Sequence, residues 1–448
     1  METWGVKPEY ALQPWRAIEG GVGITCFSIG WESDGRTKTM CTWMYDEPGV
    51  GRPKLTQFLE YAKRKDAHIV CWNAPFDIAW CLAYPENREL VYTNKWLDGA
   101  LIYRRVINSL EKGLTTRLKA VVAQYLPKYA GYETDVTFDP KNEAERERLM
   151  QYNRLDALFT RELTAKFLRE LSPAEQRNVR IESACLPMVA EANLRGLRID
   201  RTNLADLDTH LVNTTETAYS ELLAAEPEIG TVNLNSPGQV AELLFNKWGL
   251  TPVKQTETGN DSTDKETLHE LSLAHPLARV LRTYREGINC RTKFSTAIAT
   301  SLAYNGDGVV RPQARVFGTY TGRMTYSGAQ RKGKSRSKND YPTGLALHQM
   351  KRDPLFRKVI APPSGYTLVE FDFAGQEYRW MAVMSGDETM LAMCQPGEDA
   401  HAFMAAQIGA MDYKDLRVKI AAGDKQAKDL RQLGKVGNLS CQYRTSAR

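Results

Sequence analysis

The chain has 448 residues, 42% of them hydrophobic, and a net charge of +5. At roughly 150 residues per domain, this length points to two to four domains with buried cores, and the composition excludes wholesale disorder. Eight cysteines form no CxxC pair and six histidines show no zinc spacing. That argues against a disulfide framework or a structural zinc site and fits a reducing cytosol. No apolar run approaches the ~20 residues of a membrane span, and the opening METWGVKPEY lacks the basic and apolar regions of a signal peptide.

Taken in chain order, residues 21–33 and 67–73 read as strands and 53–65 as a helix. A long helix is predicted over 143–170, broken by Ser172-Pro173. Residues 174–195 are helical again, with Gly196 as the C-cap. Helices are expected over 201–225 and 264–304, with a polar loop at 251–264. Strands are expected at 309–318 and 366–373, and helices from 376 onward. The fold class is therefore α/β: an α/β domain, a mainly helical segment, and the start of a second α/β domain. Boundaries at these breaks give segments 1–172, 173–308, 309–390 and 391–448. The stretch Arg331, Lys332, Lys334, Arg336 and Lys338 puts five cations into eight residues. It reads either as a solvated loop or as a segment that tracks nucleic-acid phosphates.

Two sets of residues carry chemistry. Phosphodiester hydrolysis at neutral pH is helped by two divalent cations, which want carboxylates converging from several segments. Asp77 follows an apolar strand in Asn73-Ala-Pro-Phe76-Asp77, Glu2 stands near the N-terminus, and Tyr152 and Asp156 are four apart on the long helix. Tyr152 and Asp156 thus share a face, suited to orienting a water and holding a metal. Asp98, in WLDGALIY, reads equally as a helix N-cap. In the second set, the strand TLVEFD delivers Asp372 at its end, a natural position for a Mg²⁺ ligand, and a helix begins near Gln376. Further on, Arg431, Lys435, Leu439 and Tyr443 drift only about 120° around a helix at about 100° per residue. They form one stripe, suited to clamping a triphosphate with Arg431 and Lys435 while Tyr443 packs on a base pair.

In this order the motifs resemble family A (DNA polymerase I-like) DNA polymerases. NAPFD and YNRLD resemble motifs of that family's proofreading 3′–5′ exonuclease domain, which has an RNase H-like (DnaQ-like) fold. DFAGQEYR resembles its DYSQIELR motif, RQLGKVGNLSCQY its fingers helix, and TGRMTYS its TGRLSSS. The resemblance implies that Asp372, Glu2, Asp77 and Asp156 bind metal (Mg²⁺, with Mn²⁺ as an alternative) and that Asp372, Tyr152 and Lys435 are catalytic. It also implies that Arg431, Lys435, Tyr443, His401, Glu377 and Leu439 meet the dNTP, and that Arg323 meets the primer. It reads 1–172 as the exonuclease-like domain, 173–308 as the thumb and connecting helices, 309–390 as the first part of the palm, and 391–448 as the start of the fingers. The implied partners are primer–template DNA and dNTPs, with no membrane.

Departures are Leu439 for an aromatic, Ser440 and Arg444 for glycines, Phe373 for a tyrosine, and Gly375 for a polar residue. These look phage-like, which would place the protein in a bacterial host cytoplasm. The family's first metal aspartate would fall immediately before Met1, and its His-Asp-Glu motif beyond Arg448. The expectation is a polymerase fragment truncated at both ends, poorly active alone. The alternatives are a stand-alone 3′–5′ exonuclease, or a non-catalytic DNA-binding chain complemented by a second subunit.

Overall fold

In the computed structural model, residues 1–5, 13–17, 22–46, 48–107, 115–132, 142–319, 321–326 and 345–443 are described. The cationic stretch from Arg331 to Lys338, and Ser327, lie outside them. Strand Val22–Ser33 is the centre of an antiparallel sheet, flanked by Glu2–Gly5 and Arg36–Trp43. Its first six residues are buried without alternation, as expected of a strand covered on both faces. A second, parallel pair joins His68–Cys71 to Lys95–Asp98 in register, through the helices Ala74–Leu82 and Arg88–Thr93.

The long helix spans Glu143–Glu170. Asn142 caps it by accepting from the Ala144 N–H, and Glu143 and Glu145 complement its positive end. Its buried residues recur as Leu149, Tyr152, Asn153, Phe159, Thr160, Leu163, Thr164 and Phe167. That is the i, i+3, i+4 stripe of a core-facing helix. Asp156 falls in the same register, between Tyr152 and Thr160, so the helix itself turns this carboxylate inward. After it, Ser172 and Glu175 form a reciprocal capping box that starts helix Pro173–Ala184.

Helix Leu186–Arg195 leads to the short strand Leu197–Arg198, paired antiparallel with Val309–Val310. Between them lie helices Arg201–Ala225, Lys265–Ala274, Pro276–Cys290 and Thr296–Asn305. The buried face of Arg201–Ala225 runs Leu204, Leu207, Leu211, Thr215, Ala218 and Leu222. Asn193 ties the later chain back: its Nδ2 donates to Ala314 O at 3.2 Å, and its Oδ1 accepts from Ala314 N at 2.7 Å.

Two strand expectations need correction. The predicted strand 309–318 is two short strands, Val309–Val310 and Ala314–Arg315, interrupted at Pro312, which has no N–H to donate. The predicted strand 366–373 forms no ladder: its residues are exposed, with Phe371 92% accessible, and no strand among the described residues pairs with it. An apolar segment with no neighbour to exchange hydrogen bonds is extended chain rather than sheet. The predicted helix 174–195 is divided at Cys185, and the region 264–304 at His275, each followed by a proline in the first turn of the next helix.

The chain folds as two compact units, Met1–Tyr366 and Thr367–Arg448. The second holds helices Gln376–Ser385, Glu388–Ala392, Ala400–Ile408, Tyr413–Ala421 and Lys425–Gln442, around a small core of Ala405, Ala406, Leu416 and Ala427. Gly375 takes φ +60° at the entry to Gln376–Ser385, a left-handed turn that glycine adopts without strain. Backbone geometry therefore accounts for this departure from a polar residue. Among the described residues, no helix is long and apolar enough to cross a membrane.

Candidate functional site

Two of the predicted residue sets are brought together, one in each unit. In the first, Glu2, Asp77 and Asp156 line one cleft of about 540 Å³. Glu2 comes from the first strand, Asp77 from the first turn of Ala74–Leu82, and Asp156 from the long helix. Burial, reinforced by the nearby Asp156, pushes the Glu2 carboxyl up to about 7, against the pull of the Met1 amine, Lys119 and Asn153. Burial also raises Asp156, against hydrogen bonds from Tyr132 and Tyr152 that favour its charged form. Tyr152 is held protonated by burial and by Asp156 and Glu2, so its O–H is a donor. Asp77 Oδ1 accepts from the Met1 α-amine at 2.9 Å. Although burial opposes its charge, that amine is held to about 11, chiefly by Asp77 and Glu2.

Two half-buried carboxyls, Glu2 raised by burial and by Asp156, and Asp156 raised by burial, are an incomplete electrostatic arrangement, and a divalent cation suits such a pair. Among the described residues, however, no group of three or more His, Cys, Asp or Glu side chains is arranged to hold a metal ion. Asp98 does not join the pair. It accepts from Asn73 N and Ala100 N, each at 2.9 Å, and burial pushes it up to about 6. It is the N-cap of Gly99–Val106 and pins the residue before the Asp77 helix. Sequence reasoning missed Tyr132, whose ring stacks on Tyr152 at 5.8 Å, and Lys119, whose Nζ lies 4.8 Å from the Tyr152 ring centre. Neither belongs to a motif that would have flagged it.

The second set lies in Thr367–Arg448. Arg431 and Lys435 stand on helix Lys425–Gln442, and His401 stands in the first turn of Ala400–Ile408. Burial lowers the pKa of His401, and the charges of Arg431 and Lys435 lower it further. Asp399 caps the His401 helix by accepting from His401 N and Ala402 N, each at 3.0 Å, and also accepts from Arg431 Nε at 2.6 Å. Tyr443 O–H donates to Glu377 Oε1 at 2.8 Å, joining two further predicted residues, and Leu439 lies half-buried on the same stripe.

Asp372 stands exposed on the extended segment. No group of three or more His, Cys, Asp or Glu among the described residues is arranged around it to hold a metal ion. In Met1–Tyr366, Arg323 is exposed on a tight loop whose backbone is tied by Gly318 N to Arg323 O at 2.8 Å.

The model for DNA polymerase family A matches residues 201–447, more than half of the chain. The DNA polymerase I of Chloroflexus aurantiacus is 27% identical over 269 residues, covering 58% of this chain and 27% of that protein. The DNA polymerase of Escherichia phage T5 is 36% identical over 161 residues, 35% of this chain and 17% of that protein. The chain thus spans about a quarter or less of the length of these relatives. A solved structure, the POL domain of Pol1 from M. smegmatis in complex with DNA primer-template and dNTP, is similar in fold. Its TM-score is 0.65 at 17% identity, covering 98% of this chain and 67% of that one. A family match of this extent, over the helices that carry His401, Arg431 and Lys435, assigns the chain: it belongs to DNA polymerase family A.

Proposed function

We propose that the chain serves template-directed DNA synthesis and that its Thr367–Arg448 unit holds the incoming dNTP. The observation that carries this reading is that helix Lys425–Gln442, which bears Arg431 and Lys435, reaches the start of the His401 helix through Arg431 Nε on Asp399 and Asn438 Nδ2 on His401 Nδ1. Two cations and an imidazole on one face suit a triphosphate, because charge-assisted hydrogen bonds to phosphate oxygens are the strong ones. In this reading Arg431 exchanges its Asp399 partner for phosphate, and Lys435 adds a second positive charge. Tyr443 and Glu377 border the sugar and base. Arg323, with the cations from Arg331 to Lys338, meets primer–template DNA. Asp372 contributes a single carboxylate to cation binding.

Region 1–172 is read as an RNase H-like, 3′–5′ exonuclease-like domain, 173–308 as thumb and connecting helices, 309–390 as the first part of the palm, and 391–448 as the start of the fingers. In the exonuclease-like site Glu2 and Asp156 would hold Mg²⁺ or Mn²⁺, with Asp77 at the cleft wall. The ion, when bound, supplies an activated water for phosphodiester hydrolysis. The Tyr152 O–H, fixed on Asp156 and kept protonated, is placed to orient that water.

The test is calorimetric titration of the chain with dATP. Binding that weakens at least tenfold in Lys435→Ala and in Arg431→Ala supports the reading. Equal affinity in wild type and both variants refutes it.

A further inference from the structure

Asn438 is buried, 5% exposed, on the inner face of helix Lys425–Gln442. Its Nδ2 lies 3.0 Å from Ala400 O and 3.1 Å from His401 Nδ1. Ala400 O is a carbonyl oxygen and only accepts, so the group facing it is the amide NH₂. The same NH₂ faces the histidine, and its two hydrogens serve two acceptors. His401 Nδ1 must therefore present a lone pair, and the proton of the neutral ring sits on Nε2.

The surroundings hold the ring in one pose, and burial with two nearby cations outweighs the opposing charge of Asp399 to favour the neutral imidazole. Asp399 caps the helix through the His401 N–H but spends its other oxygen on Arg431. The charges of Arg431 and Lys435, on helix Lys425–Gln442, disfavour a second proton. Tyr378 packs edge-on, ring centres 6.5 Å apart at 79°. The approach depends on Gly434, where a Cβ would lie 2.3 Å from His401 O.

We infer that Asn438 is a positioning residue that holds His401 as its Nε2–H tautomer, so that the ring offers an N–H to a phosphate oxygen of the nucleotide gathered by Arg431 and Lys435. This deepens the dNTP-binding reading and rests on it for the identity of the ligand. The relation between the two side chains stands on geometry alone.

The test is a two-bond ¹H–¹⁵N correlation spectrum of the histidine-labelled chain above neutral pH, with the His401 signals assigned by their loss in His401→Gln. Wild type is expected to show Nδ1 unprotonated and Nε2 protonated. Asn438→Asp keeps the shape but offers only acceptors, and is expected to move the proton to Nδ1. Protection of the Ala400–Ile408 amides from exchange verifies that this variant is folded. A wild-type proton on Nδ1, or an unchanged tautomer in a folded Asn438→Asp, overturns the inference.

A dATP titration separates the two claims. About a tenfold loss in both Asn438→Ala and His401→Ala, with no further loss in the double variant, supports the positioning role. Unchanged affinity in Asn438→Ala overturns that role. The predicted tautomers with no dATP binding in wild type would uphold the Asn438–His401 relation and sink the nucleotide reading.

Discussion

Gly434 and Gly437 are one turn apart on helix Lys425–Gln442, and the same substitution should act on them with opposite sign. An alanine Cβ at Gly434 would lie 2.3 Å from His401 O, 2.7 Å from Ala405 N and 2.8 Å from Ala405 Cβ. Two of these atoms are backbone, so no side-chain rotation relieves the clash. The two helices must separate by about 1 Å to reach ordinary contact near 3.5 Å. Overpacking of this kind costs about 1–3 kcal/mol, offset by about 1 kcal/mol of helix propensity on replacing glycine. Gly434→Ala should therefore destabilise the unit by up to about 2 kcal/mol. At Gly437 a Cβ would meet Ile408 Cδ1 and Met404 Cγ at 3.5 Å, which is ordinary contact. Gly437→Ala should keep the propensity gain of up to about 1 kcal/mol. Hydrogen exchange of peptides within 400–443 reads both. The first variant should exchange up to about 30-fold faster and the second up to about fivefold slower, since about 1.4 kcal/mol is a factor of ten. Shifts in the same direction for the two variants would refute the packing argument.

Other perturbations test the first unit. Burial holds Glu2 near 7, whereas an unfolded glutamate titrates near ~4.3. A carboxyl raised on folding contributes stability that is present below the unfolded value and lost as pH rises through the folded one. Glu2→Gln should therefore raise stability above pH ~7 by about 3 kcal/mol and leave it little changed at pH ~4; urea unfolding midpoints at the two pH values check this, and an equal shift at both contradicts it. Asn193→Ala removes the amide that satisfies both backbone groups of buried Ala314. It should cost about 2–3 kcal/mol, seen as a lowered urea midpoint with unchanged slope.

Much of this architecture was legible because its signals are local. The 143–170 helix ends where its capping residues say it should, and its apolar spacing also turns Asp156 inward. Asp98 read equally as a cap, and it accepts the N–H bonds of one. That 366–373 would form no strand was not legible, since a strand exists only with a partner and the segment's own apolar character cannot report whether one is there. Tyr132 lies 24 residues from Asp156, and Asn438 lies 37 from His401. Such contacts are made by tertiary packing, which no short-range spacing encodes. Gly434, likewise, carries no local signal that it is the position that lets two helices close.

The most direct test of the central claim is whether the chain selects a nucleotide by template. A primer–template with a blocked 3′ end is incubated with the chain and each of the four dNTPs, and the salt resistance of the complex is followed by gel shift. The account predicts that the dNTP complementary to the template base stabilises the complex, and that Lys435→Ala abolishes this. Equal stabilisation by all four dNTPs, or none by any, would contradict it.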